Sequence, residues 1–213
     1  MDNRSKELIS KQFNNLVLKH QCSMESLHST KSTYTREHQE IKFSYVMKVL
    51  KEKDSLLDIG CGLGDLCLYC RNHGWTGRYT GLDISDKMVA FTKDRLKNDE
   101  IFEVDILEDN YNDKHDVVVS ISTIQQKPLY EDGEIYLKNM IEKMFMLSNK
   151  SIIFDVFSNK FVDYVREGNL YVDPINLLNY CYKLSNRLLL INEYNPHQLM
   201  MILHKKSSKG WLL

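Results

Sequence analysis

The chain has 213 residues, 43% of them hydrophobic and 27% charged, with 28 Lys plus Arg against 29 Asp plus Glu. That is enough for one globular domain with a small lid, and it carries none of the basic excess that marks a nucleic-acid binder. No apolar run reaches the length needed to span a bilayer, and the polar start Met1-Asp2-Asn3-Arg4-Ser5 has no secretory h-region, so a cytoplasmic protein without a membrane partner is expected.

Residues 1–53 read as a helical lid. Ile9, Phe13 and Leu16-Val17 recur at helical spacing, and a polar break follows at Ser29 to Thr33. Thr35 reads as an N-cap, with Glu37 and Glu40 in the opening turns of a second helix whose apolar face is Ile41, Phe43, Val46 and Leu50.

Residues 54–205 read as the core. Strand-like runs at Ser55 to Ile59, Tyr79 to Leu82, Ile101 to Val104, Val117 to Ile121 and Ile152 to Phe157 alternate with helical segments at Leu66 to Arg71, Asp86 to Leu96 and Ile135 to Leu147. Such alternation implies a parallel sheet with right-handed crossovers. Pro174 opens a last helix through Leu184. Arg187 to Ile191 and Gln198 to Leu203, joined across Asn192 to His197, then form a hairpin that ends the sheet antiparallel. The fold class is α/β: a Rossmann-like, seven-stranded, mostly parallel sheet with a C-terminal antiparallel hairpin and helices on both faces. Residues 206–213 are a tail.

Five cysteines form no framework, which suits reduced thiols. Cys61, Cys67 and Cys70 lack the second ligand pair that a zinc site needs, and Cys at helical spacing is a small core residue, so no metal is expected.

The run Leu57-Asp58-Ile59-Gly60-Cys61-Gly62-Leu63-Gly64-Asp65 is a strand, a glycine turn and a helix start. Glycines let the backbone adopt unusual dihedrals and let a ligand come close, and the helix start offers free N–H groups. A dinucleotide fingerprint is G-x-G-x-x-G, but its third glycine position here holds Asp65. Two carboxylates repel a pyrophosphate and welcome a ligand that carries an ammonium and no phosphate.

At these residues the sequence resembles the class I S-adenosylmethionine-dependent methyltransferases, over roughly residues 35–205. The resemblance implies S-adenosyl-L-methionine as cofactor. Asp58 with Gly60, Cys61, Gly62 and Gly64 matches the first motif, which holds the methionine portion. In Gly81-Leu82-Asp83-Ile84-Ser85, Asp83 lies 19 residues after Gly64; it would bind the ribose hydroxyls, with Ile84 packing on adenine. Asp105 would take the adenine amino group and Ile106 would cover the ring. Ser120 stands at the fourth strand, whose end faces the transferring methyl. Similar small enzymes carry a Gln and a basic-aromatic pair before the first strand, here Gln39, Lys42 and Phe43.

On the acceptor side, the Asn/Asp-Pro-Pro-aromatic signature of nucleobase and amide N-methyltransferases is missing after the fourth strand, which reads Ser120-Ile121-Ser122-Thr123-Ile124-Gln125-Gln126-Lys127-Pro128. No Pro-Cys nucleophile or added recognition domain is present. The resemblance is to small bacterial enzymes that methylate metabolites, with oxygen slightly ahead of nitrogen as acceptor and no nucleic-acid partner. His28, His38 and Tyr34 are the candidate bases, with His115 and His197 behind them. Lys127, Tyr164, Arg166 and Tyr171 are candidates to bind the acceptor. Methylation of RNA or protein, cofactor binding without turnover, and a nicotinamide-dependent reductase are the competing readings. Oligomeric state is not legible.

Overall fold

The computed structural model describes residues 1–20, 23, 27, 35–160 and 165–205. Its elements in chain order are α1 (Asn3–His20), α2 (Arg36–Val49), β1 (Leu56–Ile59), α3 (Asp65–Asn72), β2 (Tyr79–Asp83), α4 (Asp86–Arg95), β3 (Glu100–Glu103), β4 (His115–Ser120), α5 (Gly133–Leu147), β5 (Ser148–Ser158), β6 (Tyr171–Val172), α6 (Pro174–Leu184), β7 (Leu188–Ile191) and β8 (Gln198–His204).

The sheet runs β3-β2-β1-β4-β5-β8-β7, and the two-residue β6 pairs beside β5 off this path. β1 to β5 are parallel, while β8 pairs antiparallel with both β5 and β7. The expected hairpin is therefore β7-β8, and its second strand inserts between β5 and its own partner. β6 is the one described strand that the sequence pattern did not announce; it is too short to carry a period.

Both faces of the sheet are covered, so neighbouring strand residues enter different cores. Leu57, Val118, Ile152 and Met201 pack in one core with Leu137, Met140, Ile141 and Met144 of α5 and Leu177 of α6. Leu56, Val117, Ile153 and Met200 pack in the other with Phe43 and Val46 of α2 and Leu66, Cys67 and Cys70 of α3. All four described cysteines are buried and reduced.

The reversal of strand order falls between β1 and β4, where neighbouring crossovers depart to opposite faces and leave a crevice at the carboxyl ends. α1 lies across this crevice. The buried Ser5 hydroxyl accepts from the backbone N–H of Leu129 (2.9 Å) and Tyr130 (3.3 Å). Nine residues on, Asn14 accepts from the Ser85 hydroxyl and donates to Asp86, both at 2.6 Å. α1 is thus tied at one point beyond β4 and at another to the start of α4.

Thr35 caps α2 as expected, and the reciprocal partner in its capping box is His38. Among the described residues no helix is long and apolar enough to cross a membrane.

His115 opens β4 at the end of the sheet away from the crevice, with no exposure. Its Nε2 stands 3.0 Å from the Tyr111 hydroxyl. Burial first, and Arg78 second, push the imidazole down to about 4, against a weaker upward pull from Asp113. Because the folded pKa lies below the unfolded one, His115 contributes stability that is fully present above about pH 6.5 and is lost as pH falls through about 4. Urea midpoints between pH 7 and pH 4 should therefore drop less in His115→Gln than in the wild type. Equal drops would contradict this assignment.

Candidate functional site: a crevice walled by carboxylates

The crevice holds about 1180 Å³ of space, counting its open mouth. Its floor is the glycine turn. Gly60, Gly62 and Gly64 have φ of 75°, 51° and 75°, a region L-residues with side chains rarely occupy. A Cβ on Gly60 would come within 2.1 Å of Thr123 Oγ1, and one on Gly64 within 2.6 Å of Leu96 Cδ1. The turn is pinned by donors to its carbonyls: Ser120 to Ile59 (3.2 Å), Thr123 to Gly60 (3.3 Å), Thr92 to Gly62 (2.6 Å) and Arg95 to Leu63 (2.6 Å). The backbone N–H groups of Gly60 and Cys61 both donate to the Leu82 carbonyl. A floor fixed from behind in this way keeps its shape when a ligand arrives.

Among the described residues four carboxylates reach the crevice: Asp58, Asp65, Asp83 and Asp105. Asp65 is neutralised within the protein, by Arg95 at 2.9 Å and Arg36 at 3.2 Å. The other three have few donors. Asp58 is buried and receives the Tyr79 hydroxyl at 2.7 Å. Burial dominates, with the nearby Asp83 charge adding to it, and the Asp58 carboxyl is pushed up to about 7. Asp83 accepts from the N–H groups of Gly62 and Ser85, both at 2.9 Å, yet burial still raises its pKa. Asp105 uses Oδ1 to accept from Leu107 N–H at 3.0 Å. Its Oδ2 is buried without a hydrogen-bond partner among the described residues, and the amino group of Met1 lies 3.6 Å away.

The remaining walls are apolar: Ile84, Val104 and Ile106 beside Asp83 and Asp105, Ile9 and Phe13 from α1, Phe43 from α2, and Tyr136 with Met140 from α5. Gln39 also reaches the crevice, with its Oε1 accepting from Arg36 at 3.1 Å. This combination suits S-adenosylmethionine. Among the described residues the site has acceptors to spare and no cluster of lining cations, so it matches a ligand with an ammonium, a sulfonium, two ribose hydroxyls and an adenine amino group. A pyrophosphate would meet three under-compensated carboxylates.

The structure places the sequence candidates as follows. Asp58, Gly60, Cys61, Gly62, Asp83, Ile84, Asp105, Ile106 and Gln39 line one crevice. Gly64 and Ser120 stand behind it, as the N-cap of α3 and as a prop for the turn. His28, Tyr34 and Tyr164 lie outside the described residues. His38 is exposed and occupied in the α2 cap, its Nδ1 2.8 Å from Thr35 Oγ1. His115 is at the wrong end of its strand, and His197 lies in the β7-β8 turn and does not line the crevice. Lys127 is exposed, and its backbone N–H donates to Gly168 O. Tyr171 stacks on Phe157 at 5.4 Å and accepts from Arg166 N–H, so these two brace the segment after β5 and do not line the crevice.

Sequence reasoning singled out Lys42 but missed the partners that hold it, Asp155 and Ser122. Lys42, 1% exposed, meets Asp155 of β5 at 2.7 Å and Ser122 at 2.8 Å. An Asp in the middle of an apolar strand was the available signal, since a buried charge there demands a partner.

The family described as methyltransferase domain matches residues 56–141. Malonyl-[acyl-carrier protein] O-methyltransferase of Acetivibrio thermocellus is 35% identical over 77 residues, which is 35% of this chain and 27% of that enzyme. A provisionally named methyltransferase of Mycobacterium tuberculosis is 24% identical over 169 residues, 76% of this chain and all of that protein. Among solved structures, magnesium protoporphyrin IX methyltransferase of Synechocystis PCC 6803 with bound S-adenosylmethionine superposes with a TM-score of 0.67 at 13% identity, covering 97% of this chain and 98% of that one. Residues 56–141 thus match the methyltransferase domain, and the chain shares its fold with a methyltransferase solved with bound S-adenosylmethionine.

Proposed function

We propose that this chain transfers the methyl group of S-adenosylmethionine to a small-molecule acceptor, with oxygen favoured over nitrogen. The observation that carries the reading is the surplus of buried acceptors in one crevice: Asp58, Asp83 and the orphaned Oδ2 of Asp105. In this reading Asp58 faces the cofactor's ammonium, Asp83 the ribose hydroxyls and Asp105 the adenine amino group, with Ile84 and Ile106 on the two sides of the ring.

The bound cofactor supplies a methyl on a sulfonium, a good leaving group. The protein's task is then to orient, enclose and keep water out. The pinned glycine turn orients the methionine end, α1 roofs the crevice, and Ile121, Ser122 and Thr123 after β4 form the wall against which an acceptor would sit. A crevice roofed by α1 supports a small molecule over a polymer. Oxygen is supported by the missing N-methyltransferase signature after β4 and by the name of the Acetivibrio relative, an O-methyltransferase.

Two outcomes check this reading. Titration calorimetry should find S-adenosylmethionine binding, weakened by ~1–3 kcal/mol in Asp83→Ala, because buried ribose hydroxyls lose a charged partner. No binding to the folded wild type, or unchanged affinity in the variant, would contradict it.

The second concerns pH. With Asp58 near 7 before binding, an ammonium ligand must drive off its proton below that pH. Affinity should thus fall by roughly tenfold per pH unit below 7, with about one proton released on binding at pH 6. Calorimetry in buffers of different ionisation enthalpy reads that proton. Asp58→Asn should abolish both effects, and a pH-independent wild type would remove the ammonium contact from Asp58.

A further inference from the structure

Ser122 is the one non-glycine residue of the described chain with positive φ, at 61°. It lies just past the β4 end, on the wall of the crevice, and two hydrogen bonds hold it in that strained backbone. Its N–H donates to Asp155 Oδ1. Its hydroxyl oxygen accepts from Lys42 Nζ at 2.8 Å. Lys42 in turn donates to Asp155 Oδ2 at 2.7 Å, and Gln125 Nε2 donates to the same oxygen at 2.7 Å. Lys42 and Asp155 are 1% and 0% exposed, so the fold keeps a desolvated ion pair where an apolar pair would pack as well.

The consequence is polarity with a fixed sign. An ammonium has only protons to offer, so toward Lys42 the Ser122 oxygen can act only as acceptor. The Ser122 proton must point elsewhere, and among the described residues no oxygen receives it. The carboxylate that would otherwise compete, Asp155, already takes three donors, Lys42, Gln125 and the Ser122 N–H, and its hydrogen bond to Ser122 comes from the backbone, not the hydroxyl. Ser122 therefore presents to the crevice a donor strengthened by the cation behind it.

We propose that the Ser122 hydroxyl, held by the buried Lys42–Asp155 pair, donates a hydrogen bond to a carboxylate of the methyl acceptor and so selects acidic acceptors. This rests on the methyl-transfer reading above and names the substrate class of the same site. Ser122 is the contacting residue, and Lys42 is a positioning residue that acts through it. A protonated amine would meet a donor opposite a donor, and a neutral amine would spend on Ser122 the lone pair it needs for attack. A carboxylate is ionised at neutral pH and needs no proton removed before it attacks. One of its oxygens would rest on Ser122 while the other faces the methyl.

The test uses the full chain saturated with S-adenosylhomocysteine and three shape-matched probes, benzoate, benzamide and benzylamine, titrated by two-dimensional NMR. The wild type should bind benzoate best and benzylamine least. Ser122→Gly removes the hydroxyl while relieving the positive φ, so it should fold and should bind S-adenosylhomocysteine as the wild type does. Its benzoate affinity should fall roughly tenfold or more, and its preference for benzoate over benzamide should vanish. Lys42→Gln should lose the same preference. If burial of Asp155 prevents that variant from folding, Ser122→Gly decides alone.

Unchanged benzoate binding in Ser122→Gly, or a wild-type preference for benzylamine, would overturn the proposal while leaving cofactor binding intact. Failure of the wild type to bind S-adenosylhomocysteine would overturn the methyl-transfer reading and this proposal with it.

Discussion

The crevice is governed by a charge imbalance. A parallel sheet ends its strands on one side, and here β1 and β2, with the turn after β3, each deliver a carboxylate to the same small space. Taking such groups out of water is costly unless donors or cations compensate. Asp65 has its charge met by Arg36 and Arg95, although its Oδ2 has no hydrogen-bond partner among the described residues. Asp58 responds by holding its proton up to about pH 7, and Asp105 keeps one oxygen orphaned. The missing donors are those that S-adenosylmethionine carries. The same imbalance excludes a dinucleotide, since phosphates would add to it.

Rigid framing makes the imbalance usable. The glycine turn cannot shift to relieve its acids, because side chains from β4, α4 and the loop after β4 bond its carbonyls. The roof is different in kind. α1 reaches the body through the hydrogen bonds of Ser5 and Asn14, the half-exposed Lys6–Asp109 ion pair, and apolar contacts of Ile9, Phe13 and Val17. A preformed floor with a cover supplied by one separate helix is suited to a ligand that must be enclosed during transfer and released after it.

Much of this was legible in the sequence because its signals are local. The alternation of strands and helices, the Gly60 to Gly64 turn and the strand-end acids Asp58, Asp83 and Asp105 each declare themselves within a few residues. What was not legible depends on partners far apart in the chain. Lys42, Ser122 and Asp155 meet across 80 and 113 positions, and no local pattern joins them. Asp65 read as part of the ligand charge, but two arginines claim it. His38 looked like a base near the lid, yet the local backbone takes it as a cap. His115 carried no sign of which end of its strand faces the crevice. Periodicity reveals which face of an element is buried, whereas reactivity at a strand depends on its direction in the sheet.

The account is tested most directly by a crystal structure of the chain with S-adenosylhomocysteine. It predicts the adenine amino group on Asp105 Oδ2, the ribose hydroxyls on Asp83, the amino group beside Asp58 and the sulfur open toward Ser122. A ligand whose adenosine lies away from Asp83 and Asp105 would contradict it.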